Sequence, residues 1–141
     1  MLSRKALGVL AVLAGRDRPA FKRVMKTKAQ AWVRDGGKTI VATDGLMKLL
    51  TDEHELAFIL GHELGHIALG HVGTWAYRLG LRIPRLELAA DAHAIRLMRA
   101  KGYDASRVPG LFDRLMASKT GKGLREMAKR REAIEQLIEG D

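Results

Sequence analysis

Apolar residues are densest in the run that begins near Leu56 and holds the sequence HELGH, His62 to His66. Just ahead of it, Thr51-Asp52-Glu53-His54-Glu55 is a helix start. With Asp52 as N-cap and Glu55 three residues on, it fits a capping box, and the pattern predicts a central helix from about Glu53 to Gly70. Gly61 and Gly65 fall inside that helix, where each costs on the order of 1 kcal/mol relative to Ala. Such glycines are tolerated where another backbone, or a substrate, must come close. Upstream, Ala29 to Val33 (AQAWV) and Lys38 to Thr43 (KTIVAT) have strand character and flank the turn Arg34-Asp35-Gly36-Gly37, so the pair reads as a β-hairpin. A basic segment after Pro19, with Lys22, Arg23, Lys26 and Lys28, leads into it, and Asp44 to Leu50 reads as a short helix.

Beyond the central run, Thr74 to Leu81 is apolar with Trp75 and Tyr77 and reads as a short helix or a loop ahead of Pro84. A second long helix is expected from Arg85 to Lys101, with Gly102 as its stop. A third starts at Asp104 or Ser106 and reaches about Ser118, and an amphipathic helix from Leu124 to Ile138 follows the break at Gly121-Lys122-Gly123. The expected fold class is therefore α+β and mostly helical, with one domain over residues 1–141 and no internal repeat.

The other apolar run, Ala6 to Gly15, follows Arg4 and Lys5. It is too short to span a bilayer, which needs roughly 20 residues. It resembles the basic and apolar regions of a signal peptide, but Gly15 leads straight into Arg16-Asp17-Arg18 with no small-residue cleavage site. A packing helix is the preferred reading of residues 1–15, with a signal-like segment or anchor as the alternative. The corresponding expectation is a soluble, cytoplasmic protein, or a periplasmic or membrane-peripheral one if the segment acts as a signal or anchor. Sparse aromatics, at 5%, leave the core to Leu, Ala, Ile, Val and Met. The formal net charge of +9 permits attraction to nucleic acid or anionic membrane, although no aromatic platform interleaves the basic residues.

The chain has no cysteine, so any zinc must be held by His, Asp or Glu. His62 and His66, four residues apart, project from one helix face and can reach one metal ion, with Glu63 beside it to take a proton from water. A catalytic zinc site wants a third protein ligand and an open position. Glu87 and Asp91 lie one helical turn apart in PRLELAADAHAIRLM; with Glu87 as ligand, Asp91 can accept a hydrogen bond from Nδ1 of a liganding histidine. His71 is about 140° further round a continuous helix than His66 and could reach the metal only if the helix breaks at Gly70. His93 points away from Glu87, and His54 reads as a surface residue. Leu69 and Val72 stand where a metzincin needs Gly and His.

Two blocks, GGKTIVATDGLMKLLTDEHELAFILGHELGHIALGHV and ELAADAHAIRLMRAKGYDASRVPGLFDRLM, resemble in order the HtpX-like zinc metalloprotease family, which includes the CAAX prenyl protease of the endoplasmic reticulum and bacterial periplasmic quality-control proteases. The resemblance implies a minimal zincin-like metallopeptidase domain of the gluzincin type, with a small sheet beside the active-site helix. One Zn2+ per chain would be held by His62, His66 and Glu87, with Glu63 as general base and Asp91 orienting a ligand. It also implies a protein or peptide substrate aligned along an edge strand, for which Ala29, Gln30, Ala31, Trp32 and Val33 are the matching positions. The chain departs from the family in three ways. The spacer between His66 and Glu87 is short where many relatives insert a longer, often membrane-associated section. Lys28-Ala29 stands where Asn-Ala is common, and no histidine follows His93, with Ala133 in a position usually held by arginine. Tyr77, Tyr103, Arg130 and Arg131 are the candidates for stabilising an oxyanion. Two other readings remain: a regulatory metalloprotease that cleaves repressors, and a noncatalytic zinc-stabilised module. The second would use the basic cluster Lys119, Lys122, Arg125, Lys129, Arg130 and Arg131 to bind nucleic acid or anionic membrane.

Overall fold

The computed structural model describes residues 2–140. Its centre is helix α3 (Glu53–Ala68), in which every residue from Glu55 to His66 is buried. A helix enclosed on all sides needs apolar or tightly satisfied polar residues right round its circumference, and the run from Leu56 to Leu64 supplies them. Asp52 caps its start by accepting from the Glu55 backbone N–H at 3.0 Å. The Glu55 side chain takes the neighbouring Thr51 N–H at 2.8 Å and pairs with Arg114, so this buried carboxylate is satisfied. The helix stops before Gly70 rather than at it, because Gly70 adopts φ 77°, a left-handed conformation that ends the helical path.

Helix α1 (Leu2–Ala14) buries Ala6, Val9, Leu10 and Leu13 in the same core as α3. The basic segment after Pro19 is a strand, β1 (Ala20–Val24), which the charges of Lys22 and Arg23 conceal from a pattern reading. β2 (Ala31–Arg34) and β3 (Thr39–Thr43) form the expected hairpin, and β1 pairs parallel to β3 in register Phe21↔Ile40, giving the order β1-β3-β2. The expected edge segment, Ala29 to Val33, is corrected at both ends. The Thr43 hydroxyl donates to Lys28 O and accepts from the Gln30 N–H, so Ala29 and Gln30 lie in an approach to the strand and β2 extends through Arg34.

After α2 (Asp44–Leu49) and α3 come a single turn, α4 (Trp75–Arg78), and three further helices: α5 (Pro84–Ala100), α6 (Val108–Met116) and α7 (Gly121–Glu139). Helix α5 packs along α3 through small residues. A Cβ on Gly61 would stand 3.3 Å from Ala94 Cα, and one on Gly65 would stand 3.1 Å from Ala90 O. No helix among the described residues is long and apolar enough to cross a membrane.

This contact predicts opposite outcomes for two Gly→Ala changes. At Gly65 the overpacking cost of about 1–3 kcal/mol outweighs the helix-propensity gain of about 1 kcal/mol, so Gly65→Ala should lower the urea or thermal midpoint. Gly8→Ala, at a position in α1 with nothing within 4 Å, should gain about 0.5–1 kcal/mol. A Gly65→Ala protein more stable than its parent would contradict the close approach.

Candidate metal centre

The narrow α3–α5 spacing brings Glu87 and Asp91 against the histidine face of α3. His62 Nε2 and His66 Nε2 are 3.1 Å apart, and Glu87 reaches them through Oε1 at 3.4 Å and Oε2 at 3.0 Å respectively. The three side chains are buried, with ligand atoms within 4.8 Å of one another, and form the one such metal-capable group among the described residues.

Each histidine has its other ring nitrogen engaged. His62 Nδ1 lies 2.7 Å from Asp91 Oδ1, an acceptor that fixes the proton on Nδ1 and leaves the Nε2 lone pair facing the cluster. His66 Nδ1 lies 2.9 Å from His71 Nδ1. The helix break at Gly70 that His71 needed does occur, yet it brings His71 to the outer side of His66, where it orients the ring instead of joining the cluster. The dependence on that break could have been followed to this contact; a helical projection alone could not show it.

Arg130, a candidate from the sequence for stabilising an oxyanion and a member of the basic cluster, is found paired with Asp91. It comes from α7, donating to Asp91 through Nε at 2.7 Å and Nη2 at 2.8 Å, with Nη1 3.9 Å from Glu87 Oε1. Its signal in the sequence was its position between Met127 and Ile134 on the apolar stripe of an otherwise basic helix. Tyr77 also borders the cluster, its ring centroid 5.4 Å from that of His66. Tyr103 and Arg131 do not: Tyr103 packs edge-on against His54, and Arg131 pairs with Asp113 and Glu135. His93 is on the flank of α5 beside Gly65.

Glu63 lies beside the cluster, Oε2 3.9 Å from His62 Nε2. Its Oε1 is buried and has no hydrogen-bond partner among the described residues. An unmatched buried carboxylate oxygen is costly, and this one belongs to a side chain that lies against the histidine pair.

The electrostatics reflect the same crowding. Burial opposes a charged His62, but hydrogen bonds to Asp91 and Glu87 outweigh it and raise the pKa in the metal-free protein from 6.5 to about 9. Burial also opposes ionised Glu87 and Asp91. The two histidines hold the Glu87 carboxyl far below its ordinary range, and Arg130 holds Asp91 low. Burial and the nearby His66 lower the pKa of His71, favouring its neutral form.

Residues 3–86 match the model of Peptidase family M48. The chain belongs to peptidase family M48. Over 51 residues it is 43% identical to the metalloprotease YcaL of Escherichia coli (strain K12), an alignment covering 36% of this chain and 19% of that protein. Over 46 residues it is 44% identical to the mitochondrial metalloendopeptidase OMA1 of Homo sapiens, covering 33% of this chain and 9% of that protein. The chain thus matches less than a fifth of either relative's length. The family match ends at Leu86 and does not cover Glu87 and Asp91, which the packing of α5 on α3 brings to the histidines.

The raised His62 pKa fixes the sign of a pH effect. Its pairing stabilises the metal-free protein fully below about pH 6.5, and that contribution is lost as the pH rises through about 9. A metal needs the unprotonated ring, so the stabilisation by metal should grow over the same interval. Calorimetric melting with and without chelator should show a gap that widens from pH 6.5 to 9; a narrowing gap would contradict the assignment.

Proposed function

We propose that this chain is a zinc-dependent endopeptidase, with zinc held by His62, His66 and Glu87. The observation that carries the reading is the set of ligand separations. One donor atom from each of the three buried side chains lies within 4.8 Å of the others, close enough for donors about 2.0–2.2 Å from a single zinc after small side-chain adjustments. Two neutral imidazoles and one carboxylate, with no thiolate, form a donor set suited to a hydrolytic zinc site with an open position. Membership of peptidase family M48 adds independent support for peptide hydrolysis and weighs against the noncatalytic and repressor-cleaving readings.

When bound, zinc supplies a Lewis acid that makes water more acidic and polarises the peptide carbonyl. The proton handling falls to Glu63. Its unpartnered Oε1 accepts a proton from the attacking water as the new C–O bond forms, then passes it to the amide nitrogen as the C–N bond breaks. Asp91 and His71 hold the two imidazoles in the tautomers that face inward, and Arg130 fixes Asp91. The polypeptide would lie in a cleft of about 690 Å³ beside β2, lined by Trp32, Val33, Ile67, Val72, Tyr77 and Leu81 among others. β2 is an edge strand, so an extended segment can add to it by backbone pairing, its side chains alternating between the cleft wall and solvent.

The basic cluster is a weaker guide than its sequence suggested. Arg130 and Arg131 are committed to carboxylates and Lys122 lies 3.8 Å from Glu126, which leaves Arg125 and Lys129 exposed on α7 and Lys119 half-buried just ahead of it.

Replacing Glu63 by Gln keeps the shape of the side chain and removes the base. The variant should retain zinc by metal analysis while hydrolysis of a casein-type substrate falls by about 10²–10⁴-fold. Equal turnover by both proteins would sink the mechanism.

A further inference from the structure

The outer edge of β2 is already occupied. Thr43 N–H donates to Gln30 O at 2.9 Å, which makes Gln30 and Thr43 a hydrogen-bonded pair. In an antiparallel ladder such pairs alternate, so in the observed register Trp32↔Val41 and Arg34↔Thr39 also face inward. Ala31 and Val33 must then turn their backbone groups outward, and these are the groups that an added strand would use.

Two of them are held by the segment 74–83. The Val33 N–H donates to Tyr77 Oη at 2.7 Å, and Arg82 Nη2 donates to Ala31 O at 3.3 Å. The same guanidinium reaches Glu87 Oε1 through Nη1 at 3.1 Å. One short segment therefore ties the edge strand to a carboxylate of the metal-capable cluster, imitating with a phenol and a guanidinium the acceptor and donor of a neighbouring strand.

The segment is lightly anchored. Trp75, Leu79 and Leu81 are 70%, 69% and 49% exposed; Ala76 is buried, and the Tyr77 ring is half-buried against the core. Gly80 at φ 73° gives it a turn that follows α4 directly. Beyond Ala76 and the Tyr77 ring little apolar burial opposes its release, so the polar contacts at Val33, Ala31 and Glu87 add a large share of what fastens it.

We propose that residues 74–83 form a displaceable strap over the substrate edge, held by Tyr77 and Arg82. An incoming chain must replace both contacts at once, so the strap selects extended, unstructured polypeptide able to offer backbone donors and acceptors along several residues. Folded proteins, with few free strand groups, and very short peptides, which reach only one of the two, do not release it. This rests on the reading of β2 as the edge along which substrate aligns.

The test separates binding from chemistry. Zinc-loaded Glu63→Gln protein is titrated with fluorescently labelled unfolded casein, alone and combined with Tyr77→Phe or Arg82→Ala, and anisotropy gives the affinity. Each strap variant should bind about three- to tenfold tighter, the worth of one competing hydrogen bond, and KM in the Glu63-containing protein should fall in step. Tyr77→Phe changes no charge, so altered attraction to casein cannot account for its gain. Arg82 is half exposed and its replacement is compatible with folding; a melting curve for each variant establishes that the fold is kept. Unchanged or weaker binding by folded variants, or no casein bound by any of them, overturns the strap. If wild type still hydrolyses casein in those cases, the endopeptidase reading stands without it. Tighter binding by the variants with no hydrolysis by wild type would keep the strap and overturn the endopeptidase reading.

Discussion

The close contact between two helix backbones at Gly61 and Gly65 is the constraint on which the rest depends. With no Cβ on that face of α3, Ala90 and Ala94 of α5 can lie directly against it, and the side chains one turn away inherit the short spacing. That approach sets Glu87 within 3.0–3.4 Å of the two histidine Nε2 atoms and Asp91 2.7 Å from His62 Nδ1. The two glycines weaken α3 as an isolated helix, and the surrounding core makes up for it: α1, α5, α6 and the sheet together bury the helix on all sides.

From that contact a chain of hydrogen bonds runs outward. His62 is held by Asp91, Asp91 by Arg130, and Arg130 comes from the last helix, whose Ile134 is fully buried. A carboxylate between an imidazole and a guanidinium keeps its charge despite burial because both neighbours favour it. On the other side His66 leans on His71, which follows the left-handed residue Gly70. Neither histidine relies on α3 alone for its orientation, so the geometry of the cluster integrates the packing of α5, α7 and the turn after α3.

Much of this was legible in the chain, and the parts that were not share a cause. The dense apolar run with its Asp52 cap exposed α3, the Gly102 stop bounded α5, the Gly-Gly turn exposed the β2–β3 hairpin, and the one-turn spacing of Glu87 and Asp91 put them on a common face. Strand β1 was hidden because Lys22 and Arg23 break its apolar pattern, and it exists through pairing with β3, a partner nearly twenty residues away. His71 and Arg130 were visible as residue types but not as partners. The first depends on the direction the chain takes after a helix break and the second on how α7 docks, and both are decided by tertiary packing, not by local period.

The capping of β2 by Tyr77 and Arg82 has a consequence for how this molecule behaves among its own copies. A strand edge that must accept foreign polypeptide is also an edge onto which an identical strand can add, and an open row of backbone donors and acceptors invites sheets to join and grow. The other edge, β1, carries the exposed Lys22, while Arg23 is paired with Asp44 and Ser3. At β2 a permanent charge or proline would protect equally well but would repel the guest along with the copy. In the strap reading, a side-chain cap that mimics a strand and lets go under competition would allow one edge to be both receptive and safe, so that self-association and receptivity to unfolded chains become two readings of a single local equilibrium.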